Sequence, residues 1–367
     1  MKITIDHELL SQATANISRV VASKSTIPAL EGILIEAGHE TVTMSGYDLE
    51  MGMMRVLPAA IRGEGGIVLP ARLLADIVRR LEGGQVVIET DEKDNCVITC
   101  GHARFDLSGI NSGEYPELPD IDRQNEYAFS TELFKSVVRQ TIFSVATNDS
   151  KPVYMGIMFD IKDELLTVVG VDGYRLAVRH EQVSGTINNS FIVPAKAVSE
   201  VIKILSDNNE EVKLYVGSRH ICFEVEGYTV ISRLLDGEFL DYMRVMPKEV
   251  TTCLRLNTRM VMDTIDRISP IINDKTKSPV RVTIRENTFM ASCATQIGRA
   301  DDEFEVEIDG EELEIGFNNR YILDALKATE TDEVIMEFSG PLSPIVIKPT
   351  EGDSFLFLVL PVRLKNG

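Results

Sequence analysis

The sequence predicts an α+β protein built from three versions of one module, each module a strand–helix–three-strand unit used twice. Three observations carry that prediction. First, Ile67-Val-Leu-Pro70-Ala-Arg72 is a short apolar strand running into an amphipathic helix, and it recurs as Phe191-Ile-Val-Pro194-Ala-Lys196. It recurs again as Leu313-Glu-Ile-Gly-Phe317-Asn318-Asn319-Arg320, so that Pro70, Pro194 and Asn318 are each 124 residues apart. Proline and asparagine both start helices. Second, other landmarks keep the period: Glu8 and Glu132, Pro28 and Pro152, Asp48 and Asp172 are also separated by 124, and Pro152 and Pro279 by 127. A fixed long period marks a repeated architecture. Third, 367 residues fit about three domains of roughly 120 residues, expected at 1–120, 127–247 and 250–367.

The elements follow in order. Lys2 to Ile5 reads as a strand, and Asp6 can cap a helix from Glu8 to Val21 with Leu9, Leu10, Ala13, Ile17 and Val20 on one stripe. Strands are expected at Gly32–Glu36, Thr41–Ser45 and Met51–Leu57, then the strand and helix from Ile67 to Leu81. Gln85–Thr90, Cys96–Cys100 and Arg104–Ser108 complete the first third. Helices near Glu132–Phe143 and Lys196–Leu205 open the two halves of the second third. Arg259–Ile268 and Asn319–Lys327 do the same in the last. Linkers fall near 111–125 and 247–252, where Gly, Pro and Asp collect.

Composition narrows the function. No apolar run approaches the ~20 residues of a membrane span, and Met1–Asp6 is no signal peptide, so a cytoplasmic protein is expected. Five widely spaced cysteines fit reduced thiols. His7, His39, His102, His180 and His220 share no spacing with a nucleophile or a carboxylate pair, and no phosphate-binding glycine motif is present. Gly63-Glu-Gly-Gly66 reads as a connecting loop. Cys96, Cys100 and His102 suggest half a zinc site, but residues four apart on a strand are about 13 Å apart, too far for one tetrahedral ion. Asp48 and Glu50 read as solvated loop charges. No catalytic residue, metal or cofactor is therefore expected.

The formal charge of −20 opposes binding to a polyanion. Its distribution matters more. The windows 8–24, 71–82, 132–151, 195–207, 258–277 and 319–330 hold sixteen Lys/Arg against twelve Asp/Glu, leaving −24 for the rest of the chain. Arg72, Lys196 and Arg320 stand at helix starts, where the macrodipole disfavours cations. That placement, made three times, points to an external anion.

With the three repeats and the acidic balance, Ser45-Gly-Tyr-Asp48-Leu-Glu50, Val171-Asp-Gly-Tyr-Arg175-Leu176, Asp236-Gly-Glu-Phe239-Leu-Asp-Tyr242 and Leu360-Pro-Val-Arg-Leu364 resemble the bacterial sliding clamps, the beta subunits of DNA polymerase III. The resemblance runs essentially end to end. It implies the DNA-clamp fold: a head-to-tail homodimeric ring, helices inside and sheets outside, around duplex DNA bound without sequence preference. Partners implied are the replicative polymerase, the clamp loader and other proteins carrying clamp-binding peptides, with no membrane and no cofactor.

The same resemblance points to Lys24, Arg72, Asn148, Lys151 and Lys196 as the DNA-facing lining, with Lys275 and Lys277 added by charge. Lys24 and Lys151 stand where relatives carry arginine, which keeps charge but loses the bidentate fork. A hydrophobic peptide groove is implied at Tyr154, Val171, Gly173, Tyr174, Arg175, Leu176, Leu240 and Val245. Its other lobe is Leu342, Pro344, Leu358, Val359, Leu360, Pro361, Val362 and Arg363. Leu240 occupies an expected proline position and Tyr174 one where some relatives have histidine. Lys365-Asn366-Gly367 extends past the usual ending and would shade the groove. The implied dimer contact is Phe105 and Leu107 with Ile271 and Ile272. Two other readings stand beside the clamp: a three-repeat peptide-binding scaffold that does not encircle DNA, and a hydrolase using Asp48 and Glu50.

Overall fold

The computed structural model describes the chain except residues 39, 122, 124, 149–150, 185–186, 207–210, 273–277 and 365–367. Its six helices are α1 (His7–Ile17), α2 (Ala71–Val78), α3 (Thr131–Ile142), α4 (Ala195–Ile204), α5 (Thr258–Ile268) and α6 (Asn319–Ala328). Each follows a strand and precedes three more, the order read from the repeats. Local chemistry explains the starts. Asp6 accepts from the backbone N–H groups of Glu8 and Leu9, Asn257 from Met260 and Asn318 from Arg320, satisfying donors that a helix leaves unpaired. Pro70 takes the cap position of α2 without a side-chain bond.

Helix α1 stops at Ile17 rather than the expected Val21. Arg19 N–H bonds to Asn16 O and Val20 N–H to Ile17 O, so the chain tightens into three-residue turns before leaving. The glycine-rich stretch also differs from expectation. Ala60–Gly63 and Gly65–Pro70 are both strands, with Glu64 alone between them.

Contacts divide the chain into two units, Met1–Phe134 with Lys196–Leu234, and Lys135–Ala195 with Leu235–Gly367. In the first, a five-stranded sheet ends in Ala103–Ser108. A nine-stranded sheet joins Met51–Pro58 of the first repeat to Tyr228–Arg233 of the second. The second unit has a nine-stranded sheet joining Arg175–Gln182 to Phe355–Val359, and a four-stranded sheet ending in Gly298–Glu305. Sheets that cross from one repeat to the next explain why the division passes through the second repeat. Within each unit, alternate strand residues bury against helices. Phe134 meets Phe223 edge-on at 5.9 Å in the first unit, and Val261, Ile265, Ile322 and Leu326 from α5 and α6 share a core with Phe289 and Phe317 in the second.

Two glycines let a helix lie close on a strand. A Cβ at Gly170 would collide with the Thr141 carbonyl and stand 2.7 Å from Ser144 Oγ; at Gly46, 124 residues earlier, it would stand 2.6 Å from Ile17 Cγ2. Gly170→Ala should therefore cost about 1–3 kcal/mol, the range for overpacking a tight site. Urea unfolding should show it as a lowered midpoint with an unchanged slope.

Candidate nucleic-acid and peptide interfaces

The first unit holds a cavity of about 1060 Å³ lined by Lys24, Arg72 and Lys196 together with Arg19, Glu31, Asp48 and Glu200. Lys24 lies in the loop after α1, Arg72 in the first turn of α2 and Lys196 in that of α4, all exposed. The cations differ in what they already hold. Lys196 Nζ sits 2.5 Å from Asp48 Oδ2, and Arg19 Nε donates to Glu200 Oε2 at 2.7 Å. Among the described residues, Lys24 and Arg72 have no carboxylate within reach.

Asp48 is thus no solvated loop charge. Its side chain is only 14% exposed, and its Oδ1 also accepts from the backbone N–H groups of Glu50 and Met51. This pairing gives Lys196 an internal anion, which weakens the inference of an external one from its position. The helices proper carry nine Lys/Arg and seven Asp/Glu. Half of the cationic excess expected on them lies instead in the segments that flank them.

Asn148 and Lys151 are exposed in the loop after α3, and Lys151 Nζ lies 5.2 Å from the Tyr154 ring centre. Lys275, Lys277 and the Lys365–Gly367 extension lie outside the described residues.

The second unit carries an apolar surface built around the hairpin turn at Gly173, whose φ of +85° suits glycine. Asp172 Oδ1 accepts from Tyr174 N–H and Arg175 N–H, fixing the turn. Arg175 is 12% exposed and bridges Asp172 Oδ2 at 3.0 Å and Asp324 Oδ2 at 2.6 Å. Its guanidinium also stacks 4.5 Å from the Tyr321 ring centre. Tyr174, 61% exposed, stacks on Tyr321 in turn, with ring centres 6.2 Å apart. Leu360 N–H donates to Tyr174 O and Val362 N–H to Gly316 O, holding the C-terminal stretch against the hairpin turn and the strand Leu313–Phe317 that leads into α6. Tyr174, Tyr321, Arg320, Leu360, Pro361 and Val362 line a cavity of about 590 Å³.

Beside it, Val171, Leu176 and Leu358 are buried in a cluster on which Tyr154, Leu240, Phe239, Tyr242 and Met246 pack half-buried. Val359 is wholly buried in the neighbouring core. Leu342, Val245, Val362 and Arg363 are exposed and Pro344 is half-buried. The residues expected to form the groove thus divide into a buried set and an exposed set. Tyr321, Asp324, Phe239 and Tyr242 were absent from the sequence reading of this site. The Phe239–Tyr242 motif was already noted, and Asp324 falls 124 after Glu200.

Family models of the DNA polymerase III beta subunit match the N-terminal domain at residues 1–119, the central domain at 128–241 and the C-terminal domain at 243–363. The chain belongs to this family. A beta sliding clamp of Staphylococcus epidermidis is 33% identical over 374 residues, covering 99% of each chain. The DNA polymerase sliding clamp of Bacillus subtilis superposes with a TM-score of 0.96 at 30% identity, covering all of both chains. A DNA polymerase III beta subunit from Eubacterium rectale gives 0.95 at 31%, covering 99% of this chain and all of its own. Sliding clamps are non-catalytic processivity factors rather than enzymes, and the function of this chain is of that kind.

The clamp's sulfur chemistry agrees with a structural role for its thiols. Burial pushes the Cys96 and Cys222 thiols up to about 12, so neither offers a thiolate near neutrality. Cys100 Sγ donates to Gly83 O at 3.2 Å. Among the described residues no cluster of three or more His, Cys, Asp or Glu could hold a metal, and no helix is long and apolar enough to cross a membrane.

Proposed function

We propose that this clamp pairs head to tail with a second copy into a ring around duplex DNA, and that the ring tethers a polymerase through the apolar surface near Tyr174. One observation supports the ring above the others. Both nine-stranded sheets are made where one repeat meets the next, whereas the five- and four-stranded sheets end in the open edges Ala103–Ser108 and Gly298–Glu305. An open edge is a template for another strand. Joining these edges between two copies would make a third sheet of nine. Phe105 and Leu107 are half-buried on the first edge strand, and Ile271 and Ile272, also half-buried, pack on the core that Ala300 and Phe304 of the second cover.

Encirclement also reconciles the charge of −20 with a nucleic-acid partner. A ring holds its track by topology and needs only weak phosphate contacts, for which Lys24, Arg72, Asn148, Lys151 and Lys196 are proposed. Native mass should give a species near twice 40.8 kDa. Loaded clamp should stay on a closed circular duplex and slide off once the circle is cut. Equal retention on both forms would leave a peptide-binding scaffold instead.

A further inference from the structure

Of the cations that stand at helix starts, Arg72 and Lys196 line the charged cavity of the first unit, among carboxylates. Arg320, exposed at the start of α6, lines the cavity near Tyr174 instead. Lys196 holds the hairpin acid Asp48. Asp172 is the equivalent acid of the second unit, 124 residues on. Its Oδ2 takes Arg175 Nε at 3.0 Å, and its Oδ1 takes two backbone N–H groups of the turn. The same hairpin acid therefore serves the helix-start cation in one unit and the hairpin arginine in the other.

The chemistry of the second cavity is one-sided. Tyr174, Tyr321, Leu360, Pro361 and Val362 give it apolar walls, and Arg320 is the one ionised side chain among the described residues that line it. Its asparagines are committed: Asn318 Oδ1 accepts from Arg320 N–H, and Asn319 Nδ2 donates to Ser269 Oγ, both at 2.9 Å. The first turn of α6 adds the positive end of a ten-residue helix to the guanidinium. An apolar pocket with one positive group selects an apolar ligand with one negative group. A peptide lying extended in the groove advances about 3.3 Å per residue, so that group belongs within about two residues of the side chain that meets the tyrosines. Elsewhere a protein of charge −20 repels acidic peptides, which confines the benefit to that position.

We infer that Arg320 makes the groove selective for partner peptides that carry an aspartate or glutamate beside the apolar residue seated against Tyr174 and Tyr321. The inference rests on the groove reading above, and the test separates the two. A fluorescent peptide with the clamp-binding segment of its polymerase is made with aspartate or asparagine in turn at each position flanking its apolar residues. Binding to the full-length clamp is measured by anisotropy. One position should favour aspartate about five-fold, the scale of one charge-assisted contact near a surface. Arg320→Gln should abolish that preference, and Arg320→Glu should favour lysine there instead. Added salt should narrow the preference. No preference at any position, or one that survives Arg320→Gln, overturns the role of Arg320 and leaves the groove. So does a lowered salt slope for duplex DNA with the peptide preference unchanged, which would place Arg320 in the DNA-facing lining. Binding that ignores Leu360→Asp puts the peptide elsewhere and overturns the groove reading as well.

Discussion

Replacing Lys24 and Arg72 together by glutamate is expected to weaken the clamp's direct, salt-sensitive affinity for duplex DNA by on the order of a hundred-fold near 0.1 M salt. These two are chosen because nothing in the described protein neutralises them, so reversal creates no orphaned internal partner. Lys196 is a poorer target. Reversing it would set a carboxylate against Asp48, 2.5 Å from the present ammonium, and confound folding with binding. Each proposed phosphate contact contributes ~0.9 to the slope of log affinity against log salt, and a ring presents each residue twice. The slope should therefore fall by about two to four. Retention on a sealed circle should hardly change, because topology rather than charge keeps a closed ring in place. Loading and the stimulation of its polymerase should fall. An unchanged salt slope would remove both residues from the proposed lining.

The threefold design was legible because a strand, a helix-starting residue and an amphipathic helix leave a pattern in local sequence, and the period of 124 aligns the copies. Pairings between distant residues left no such trace. Lys196 and Asp48 are 148 positions apart, and only the folded chain shows that the acid at the hairpin turn faces the cation at the start of α4. The proposed groove divides in the same way. Its apolar residues lie in contiguous stretches, but Tyr321 and Asp324 sit on α6, where a tyrosine and an aspartate look like ordinary helix surface. Ala60–Gly63 was missed because a short strand bounded by glycine carries no alternation of its own.

The second large effect is expected at Arg175, where the repeat also shows why one surface is polar and the other apolar. Glu200 and Asp324 are equivalent by the period of 124, yet each receives its cation differently. In the first unit Arg19, in the turn just after α1, holds Glu200. In the second, Phe143 stands in the place of Arg19, and Arg175 holds Asp324 while Met51 takes its place in the first. Moving the cation onto the hairpin frees the neighbouring surface for Tyr174 and Tyr321. Arg175→Ala would leave Asp172 and Asp324 without their cation and remove the guanidinium stacked on Tyr321. Losing one partner of a buried pair costs about 3–5 kcal/mol, but Asp324 is 41% exposed and would rehydrate, so about 2–3 kcal/mol is expected. For a unit of this size that lowers the thermal midpoint by roughly 5–10 °C. Binding of a peptide from its polymerase should fall at least ~10-fold, because the tyrosine wall loses its support. Arg175→Lys should recover little of it, since an ammonium cannot bridge two carboxylates and stack at once. Arg175→Ala with Asp324→Asn should regain part of the stability, having no bare charge left at α6, without regaining the peptide. If stability and peptide binding return together, Arg175 acts on the groove only by holding the fold.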